Sequence, residues 1–290
     1  MSTMEKRKIL IQLDTDPLPS VFDRVVAVDA GAEEVFSYGG VTPEQVRDVV
    51  HGAIFTRGPK DLNRTALFIG GSDVAAAEKL LAAALKAMIP QLGLRVSVLL
   101  DANGANTTAA AAVRAVTRHT DLASALVLGG TGPVGQRVAL LLGRAGADVR
   151  LASRQLPRAA VAADAIKAKA PEARVQPVAI ATAADLARAL EGRTVVVAAG
   201  AAGVTLLPKA ARAACPALKI AIDLNAVPPA GIDGVEVTDK GAQRDGVICY
   251  GAVGIGDTKM KIHKAAIARL FERNDQVLDA EQVYTLGQTL

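Results

Sequence analysis

The 290-residue chain has no tryptophan, five phenylalanines and three tyrosines, too few rings to offer stacking platforms for single-stranded nucleic acid. Its two cysteines, Cys215 and Cys249, form no Cys-x-x-Cys pair. Its three histidines, His51, His119 and His263, lack metal-ligand spacing, so neither structural disulfides nor a metal site is expected. Charge of one sign is also scarce: 33 Lys plus Arg against 29 Asp plus Glu leave a net +4, spread along the chain, which gives nucleic-acid binding no support. Asp, Arg, Lys or Glu interrupts every apolar run before it reaches membrane-spanning length. Residues 1–8 are charged, with no apolar signal core behind them. The expectation is a soluble, cytoplasmic protein.

What is present is apolar residues, 51% of the chain, in runs that alternate with Ala-rich helical stretches. That alternation is the pattern of βα units on a mostly parallel sheet, and the length favours two α/β lobes with a cleft between them as the first place to look for chemistry. Strands are expected at residues 9–13, 35–37, 63–69 and 95–100, with helices at 20–29, from 42 and at 73–88. Asn106-Thr107-Thr108 is a good helix start, and its run to about residue 118 is read as crossing between the lobes. Further strands are expected at 125–129, 148–152, 175–178, 194–198 and 220–223, with helices at 134–145 and 158–170. After Gly256 the pattern is helical, with Met260, Ile262, Ala266, Leu270 and Phe271 on one apolar face, and the tail is expected to pack on the first lobe. The domains are therefore read as 1–110 completed by 258–290, and 111–257.

The sharpest local signal is the apolar segment Leu126-Val127-Leu128-Gly129 running into Gly130-Thr131-Gly132-Pro133-Val134-Gly135. In a strand–turn–helix setting this Gly-x-Gly-x-x-Gly is the fingerprint of a Rossmann-type dinucleotide-binding domain. Gly130 is read as permitting the tight turn, Gly132 as admitting the pyrophosphate, and Gly135 as letting helix pack on strand. The exposed N–H groups favour the anion. The competing account is a sharp βα turn with glycines for sterics alone.

An NAD site usually carries Asp or Glu at the end of the next strand, roughly twenty residues on. Here that strand ends Ala152-Ser153-Arg154-Gln155. Ser153 suits a hydrogen bond to a 2′-phosphate and Arg154 an ion pair with it plus stacking on adenine, with Arg158 a second candidate, so NADP is the expected cofactor. Arg154 as a plain solvated charge is the alternative. Ala199 and Gly200, after another strand, are candidates to border the cofactor, though a small-residue turn reads equally well. Asn225, in Asn225-Ala226-Val227-Pro228-Pro229, is a candidate to wall the nicotinamide side.

Several segments in one order carry a resemblance over essentially the whole chain: Gln12-Leu13-Asp14-Thr15-Asp16, Pro19-Ser20-Val21-Phe22-Asp23, Phe68-Ile69-Gly70-Gly71, Asp101-Ala102-Asn103-Gly104-Ala105-Asn106-Thr107-Thr108, the glycine turn at 130–135, residues 225–229, and Gly254-Ile255-Gly256. The chain resembles the bacterial NAD(P)-dependent methylene-tetrahydromethanopterin and methylene-tetrahydrofolate dehydrogenases. The resemblance implies a two-lobed subunit with the pterin on the first lobe, nicotinamide reaching it from the second, and homo-oligomers built on trimers. It places the family's functional acid on Asp23 and its functional lysine on Lys259, where Asp257-Thr258 stand in place of residues often smaller or more apolar.

In such a substrate one carbon bridges two nitrogens whose lone pairs expel a hydride directly, so no metal or nucleophile is required. A carboxylate suits the methenyl cation left behind, because at about 4 Å and an effective dielectric near 20 the attraction is roughly 4 kcal/mol before desolvation. Asp23 is read in that role, with Lys259 positioning or tuning the field beside it; a structural ion pair at the lobe junction is the alternative for both. Asp16, Ser20, Asp101, Asn103, Asn106 and Thr107 are candidates to hold the pterin edge, against plain helix capping and turn formation. Two same-fold enzymes are weighed as rivals. The Tyr-x-x-x-Lys of methylene-tetrahydrofolate dehydrogenase/cyclohydrolase is missing, since Tyr38 is followed four places on by Thr42, and so is the shikimate-type Asn-x-Thr-x-Pro-x-Lys. A non-catalytic NADP-binding sensor is the rival of another class.

Overall fold

Apolar runs without alternation fold as parallel strands covered on both faces, because such strands have no polar side to show to water. The computed structural model describes residues 5–121 and 124–290; the first four residues of the charged 1–8 stretch lie outside them. The chain forms β1 (Ile9–Asp14), α1 (Val21–Asp29), β2 (Glu34–Tyr38), α2 (Val46–Phe55), β3 (Thr65–Gly70), α3 (Val74–Ala87), β4 (Ser97–Leu100) and α4 (Ala105–Thr117). It continues with β5 (Ser124–Leu128), α5 (Pro133–Arg144), β6 (Asp148–Ser153), α6 (Leu156–Lys169), β7 (Arg174–Ala179), α7 (Ala183–Leu190), β8 (Val195–Ala198), α8 (Lys209–Ala213) and β9 (Ile220–Asp223). The last elements are β10 (Lys240–Arg244), β11 (Val247–Tyr250), α9 (Ala252–Arg269), β12 (Val277–Leu278) and α10 (Ala280–Gln288).

Two compact units result. One runs up to Thr107 and takes in Met260–Leu290; the other is Thr108–Lys259. The first holds a sheet of order β12-β4-β3-β1-β2, parallel throughout, in which the tail contributes β12 against β4. Leu10, Leu67, Phe68, Leu80 and Leu99 are fully buried around it, each stabilising by about 1.5–3 kcal/mol. The second holds the order β10-β11-β9-β8-β5-β6-β7, parallel except for the β10–β11 hairpin. Leu126, Val196, Leu207, Ala221 and Ile232 lie in its core. In each sheet the strand order reverses once, between β1 and β3 and between β5 and β8. In open α/β sheets ligands settle in the crevice beyond the carboxyl ends of the strands at such a reversal.

The start of α4 is built by a buried acid. Asp101, 1% exposed, accepts through Oδ1 from the Asn106 and Thr107 amides, both at 3.0 Å, and through Oδ2 from the Thr107 hydroxyl at 2.6 Å. Asn106 donates in turn to the Leu100 carbonyl and to Asp279, the residue that caps α10. Asp101→Ala would strand three donors in the interior, so it is expected to cost about 3 kcal/mol. The measurement is the urea midpoint at unchanged slope; a loss below about 1 kcal/mol would show that the helix start does not depend on this carboxylate.

Candidate functional site

In the second unit the ends of β5, β6, β7 and β8 surround a cavity of about 330 Å³. It brings together Thr131, Gly132, Ser153, Arg154, Arg158, Ala199 and Gly200 from the residues singled out in the sequence. Gly130, Pro133, Val134, Gly135 and Asn225 do not line it. Gly129, which ends the apolar segment of the glycine motif, lines it, as do Ile180, Val204 and Leu206, which no sequence motif marks. Their signal is weak: Ile180 follows a strand, and the two apolar side chains sit just past a small-residue turn. No residue lining the cavity is acidic, and Arg154 and Arg158 are both exposed on its rim.

The glycines divide the work differently from the expectation. The left-handed residue of the turn is Gly129, with φ +66, not Gly130. A Cβ on Gly130 would meet the Leu151 side chain at 2.7 Å, so that position is small because β6 crowds it. Gly135 performs the packing role: a Cβ there would lie 2.7 Å from the Gly129 carbonyl oxygen and 2.8 Å from Gly130 Cα. Gly132 caps α5 with extended backbone, and a Cβ on it would find protein atoms only at 3.6 Å and beyond. Pro133 fills the first helical position, where its missing N–H costs nothing. Since α5 carries no side-chain cap at its N-terminus, its first amide N–H groups are left to an anion. The cradle therefore fits the pyrophosphate of a dinucleotide.

Asn225 is held rather than presented. Its amide group donates to the Pro229 carbonyl at 3.0 Å and its side-chain oxygen accepts from the Val227 amide at 3.0 Å. Beneath it Asp223, 2% exposed, takes the amides of Asn225 and Ile232. Burial pushes the Asp223 carboxyl above its ordinary range, against the pull of the Ile232, Asn225 and Gly231 amides.

In the first unit the loops after β1, β2, β3 and β4 are stitched together beyond the carboxyl end of the sheet. Asp14 accepts from the amides of Asp16 and Ser20. Asp16 accepts from both the amide and the hydroxyl of Ser72, at 2.9 and 2.8 Å. The Gly40 amide donates to the Asp16 carbonyl and the Asn103 amide to the Gly71 carbonyl. A Cβ on Gly71, whose φ is +113, would overlap Thr15 Oγ1 at 1.9 Å, so only glycine lets these loops close together. Of the sequence candidates, Asp16, Ser20 and Asn103 lie on these loops at the β1–β3 reversal, with Asp23 in the first turn of α1 just after Ser20. Asp101, Asn106 and Thr107 are buried beneath them in the network that starts α4.

Ser20 caps α1 by accepting from the Asp23 amide at 3.2 Å. That puts Asp23 in the first turn, where the helix dipole favours a negative charge. His263, which has no metal-ligand spacing in the sequence, lies 3.9 Å from Asp23: Nε2 faces Oδ1. Lys259 is half-buried on α9, one helical turn before His263 and on the same helix face. Of the glycines before it, Gly254 serves close packing, since a Cβ there would overlap the Asp239 carbonyl oxygen at 1.7 Å, whereas a Cβ on Gly256 would meet nothing within 4 Å. Asp257, one of the two departures in this segment, pairs with Lys240 at 2.5 Å. Among the described residues no cluster of three or more His, Cys, Asp or Glu is arranged to hold a metal ion, and no helix is long and apolar enough to cross a membrane.

Known proteins resemble the chain along its whole length. The family profile described as methylene-tetrahydromethanopterin dehydrogenase, N-terminal, matches residues 21–103. A relative from Methylorubrum extorquens named bifunctional protein MdtA is 45% identical over 290 residues, covering 98% of this chain and 99% of its own. The NAD(P)-dependent methylenetetrahydromethanopterin dehydrogenase of the same organism is 31% identical over 310 residues, covering 97% and 98%. Among solved structures, quinate dehydrogenase from Corynebacterium glutamicum in complex with NAD aligns with a TM-score of 0.51 at 15% identity, over 98% of this chain and all of its own. Shikimate 5-dehydrogenase from Listeria monocytogenes gives 0.51 at 13%, over 97% and 96%. At that identity the two structures share the α/β fold and nothing finer. The full-length relatives decide the family: the chain belongs to the methylene-tetrahydromethanopterin dehydrogenases.

Proposed function

We propose that this chain oxidises the one-carbon unit of methylene-tetrahydromethanopterin to the methenyl form with NADP as acceptor, and that methylene-tetrahydrofolate, alike at the reacting carbon, is a second substrate. The observation that carries the reading is the full-length likeness to a methylenetetrahydromethanopterin dehydrogenase, which runs through both units. When bound, the nicotinamide supplies the hydride acceptor. The chain's own residues then have three roles. The Gly129–Gly132 turn and the uncapped start of α5 hold the pyrophosphate. The β1, β3 and β4 loops, with Asp16, Ser20 and Asn103, hold the pterin edge. Asp23 places a carboxylate where positive charge develops on the substrate, and Lys259, one turn from His263, shapes the field there. Self-association belongs to the same proposal: α1 and β2 expose Val21, Val25, Val28, Phe36 and Tyr38, apolar surface that copies of the chain would cover.

NADP is preferred to NAD because Ser153, Arg154 and Arg158 share a cavity that has no acidic lining. Ile180 and Leu206 supply apolar wall for the adenine in that cavity. Arg154→Ala is expected to weaken NADP about 30-fold, roughly 2 kcal/mol, and NAD about two-fold or less. Titration calorimetry with both nucleotides reads the difference, and equal losses would remove Arg154 from phosphate recognition. The activity itself is tested by offering each methylene-pterin with each nucleotide and following reduced nicotinamide together with methenyl absorbance. Turnover is expected with NADP; no turnover in any combination would reject the dehydrogenase reading and leave a nucleotide-binding sensor.

A further inference from the structure

His263 sits where an apolar ring would pack more cheaply. Its side chain is 1% exposed, stacked on Phe68 of the central strand β3 with ring centroids 5.8 Å apart and planes at 23°. Phe22, the residue before Asp23 on α1, lies on it at 6.3 Å and 34°. Placing an imidazole among phenyl rings costs desolvation that phenylalanine or leucine would avoid. The geometry returns something for that cost. The two rings fix the imidazole plane, and Nε2 is then aimed at Asp23 Oδ1 from 3.9 Å, a gap that closes to a hydrogen bond with a shift of about 1 Å.

Among the described residues Asp23 is a charged group that faces the ring nitrogen, with Oδ1 3.9 Å from Nε2. Phe68 from β3 and Phe22 from α1 are neutral. Asp14, at the end of β1, is close to the Phe68 ring, since a Cβ on Gly70 would lie 3.1 Å from Phe68 Cε1 and 3.3 Å from Asp14 Oδ2. Lys259 lies one turn back along α9 on the same face.

We infer that His263 is a positioning residue for hydride transfer, holding the Asp23 carboxylate in the rotamer that faces the developing methenyl cation. The inference rests on the proposed role of Asp23. An imidazole N–H directed at Oδ1 restricts the carboxylate to one orientation, so the cation meets a fixed negative charge instead of one that must reorganise as the hydride leaves. The effect belongs to the transition state and therefore to kcat, with KM for the pterin and affinity for NADP left alone.

The test uses the full-length protein and four variants. His263→Phe keeps the stack and removes the nitrogens; it is expected to lower kcat about 10-fold or more while changing KM and the NADP dissociation constant by about two-fold or less. His263→Asn restores an N–H donor and is expected to recover about half of that loss on a logarithmic scale. In the Asp23→Asn background His263→Phe should cost about two-fold or less, because the residue acts through Asp23. Wild-type kcat in His263→Phe, or an equal loss in both backgrounds, would overturn the inference. If Asp23→Asn itself keeps full turnover, the catalytic reading of Asp23 fails first, and His263 fails with it. A readout independent of turnover is the ¹⁵N resonance of the His263 ring in the protein alone: Asp23→Asn should move it, and an unmoved resonance would also overturn the inference.

Discussion

Asp23→Asn is expected to lower kcat about 100-fold with NADP affinity unchanged within about two-fold. The carboxylate and the amide have nearly the same shape, so the Phe22–His263 contact and the Ser20 cap survive and charge alone is removed. At about 4 Å and an effective dielectric near 20 the raw attraction between carboxylate and methenyl cation is roughly 4 kcal/mol. Desolvation of a side chain that is 16% exposed takes part of this back, and about 2.7 kcal/mol of net transition-state stabilisation is a factor of about 100. Only a group that senses charge built up during transfer gives this split between rate and affinity. Pre-steady-state turnover in saturating NADP measures it, and a loss in affinity without a loss in rate would return Asp23 to a structural role.

Most strands of both sheets are legible in the sequence as apolar runs, and β3 and β5 are buried at every position; the two-residue β12 falls in a tail read as helical. The β10–β11 hairpin escapes that reading because β10, Lys-Gly-Ala-Gln-Arg, is an edge strand with polar residues. Its signal lies in the turn: Asp245 and Gly246 take φ +52 and +80, the pair of positive angles that Asp-Gly favours in a tight hairpin. Helix α7 escapes it as well, although Thr182 and Asp185 form a capping box before it.

The candidate cavity is legible where the residue pattern is unusual, as in the glycine turn and in Ser153-Arg154, residues of which line it together. The sequence is ambiguous where one residue type serves two purposes. Asp101, Asn106 and Thr107 suit a ligand's polar edge and a helix start equally well as sequence, and only burial shows that the helix start uses their polar groups. His263 illustrates the reverse. Metal-ligand spacing says nothing of it, yet it falls on the stripe with Ala266, Ile267 and Leu270, all buried. A histidine on a buried stripe is the signal that a search for ligand spacing does not register.

Gly129→Ala is expected to remove NADP binding by a factor of about 100 or more and to destabilise the second unit by about 3 kcal/mol. Three effects decide the sign. Replacing glycine by alanine restricts the unfolded chain and stabilises by about 0.4–1 kcal/mol. Holding alanine at φ +66 costs about 1–2 kcal/mol. The new methyl would also lie 2.5 Å from Gly200 Cα and 2.6 Å from Gly200 N. These are backbone atoms of the loop after β8, so no side-chain rotation relieves the overlap, and β5 and β8 must part at the very reversal proposed to cradle the pyrophosphate. Gly132→Ala is the control, for its methyl would meet protein atoms only at 3.6 Å and beyond and projects where the anion is proposed to sit. Its melting temperature should stay within about 2 °C of wild type while NADP weakens about 10-fold. Wild-type affinity in Gly129→Ala would show that the dinucleotide is held elsewhere, whereas a Gly132→Ala protein that loses stability instead of affinity would make its glycine a packing residue like Gly135.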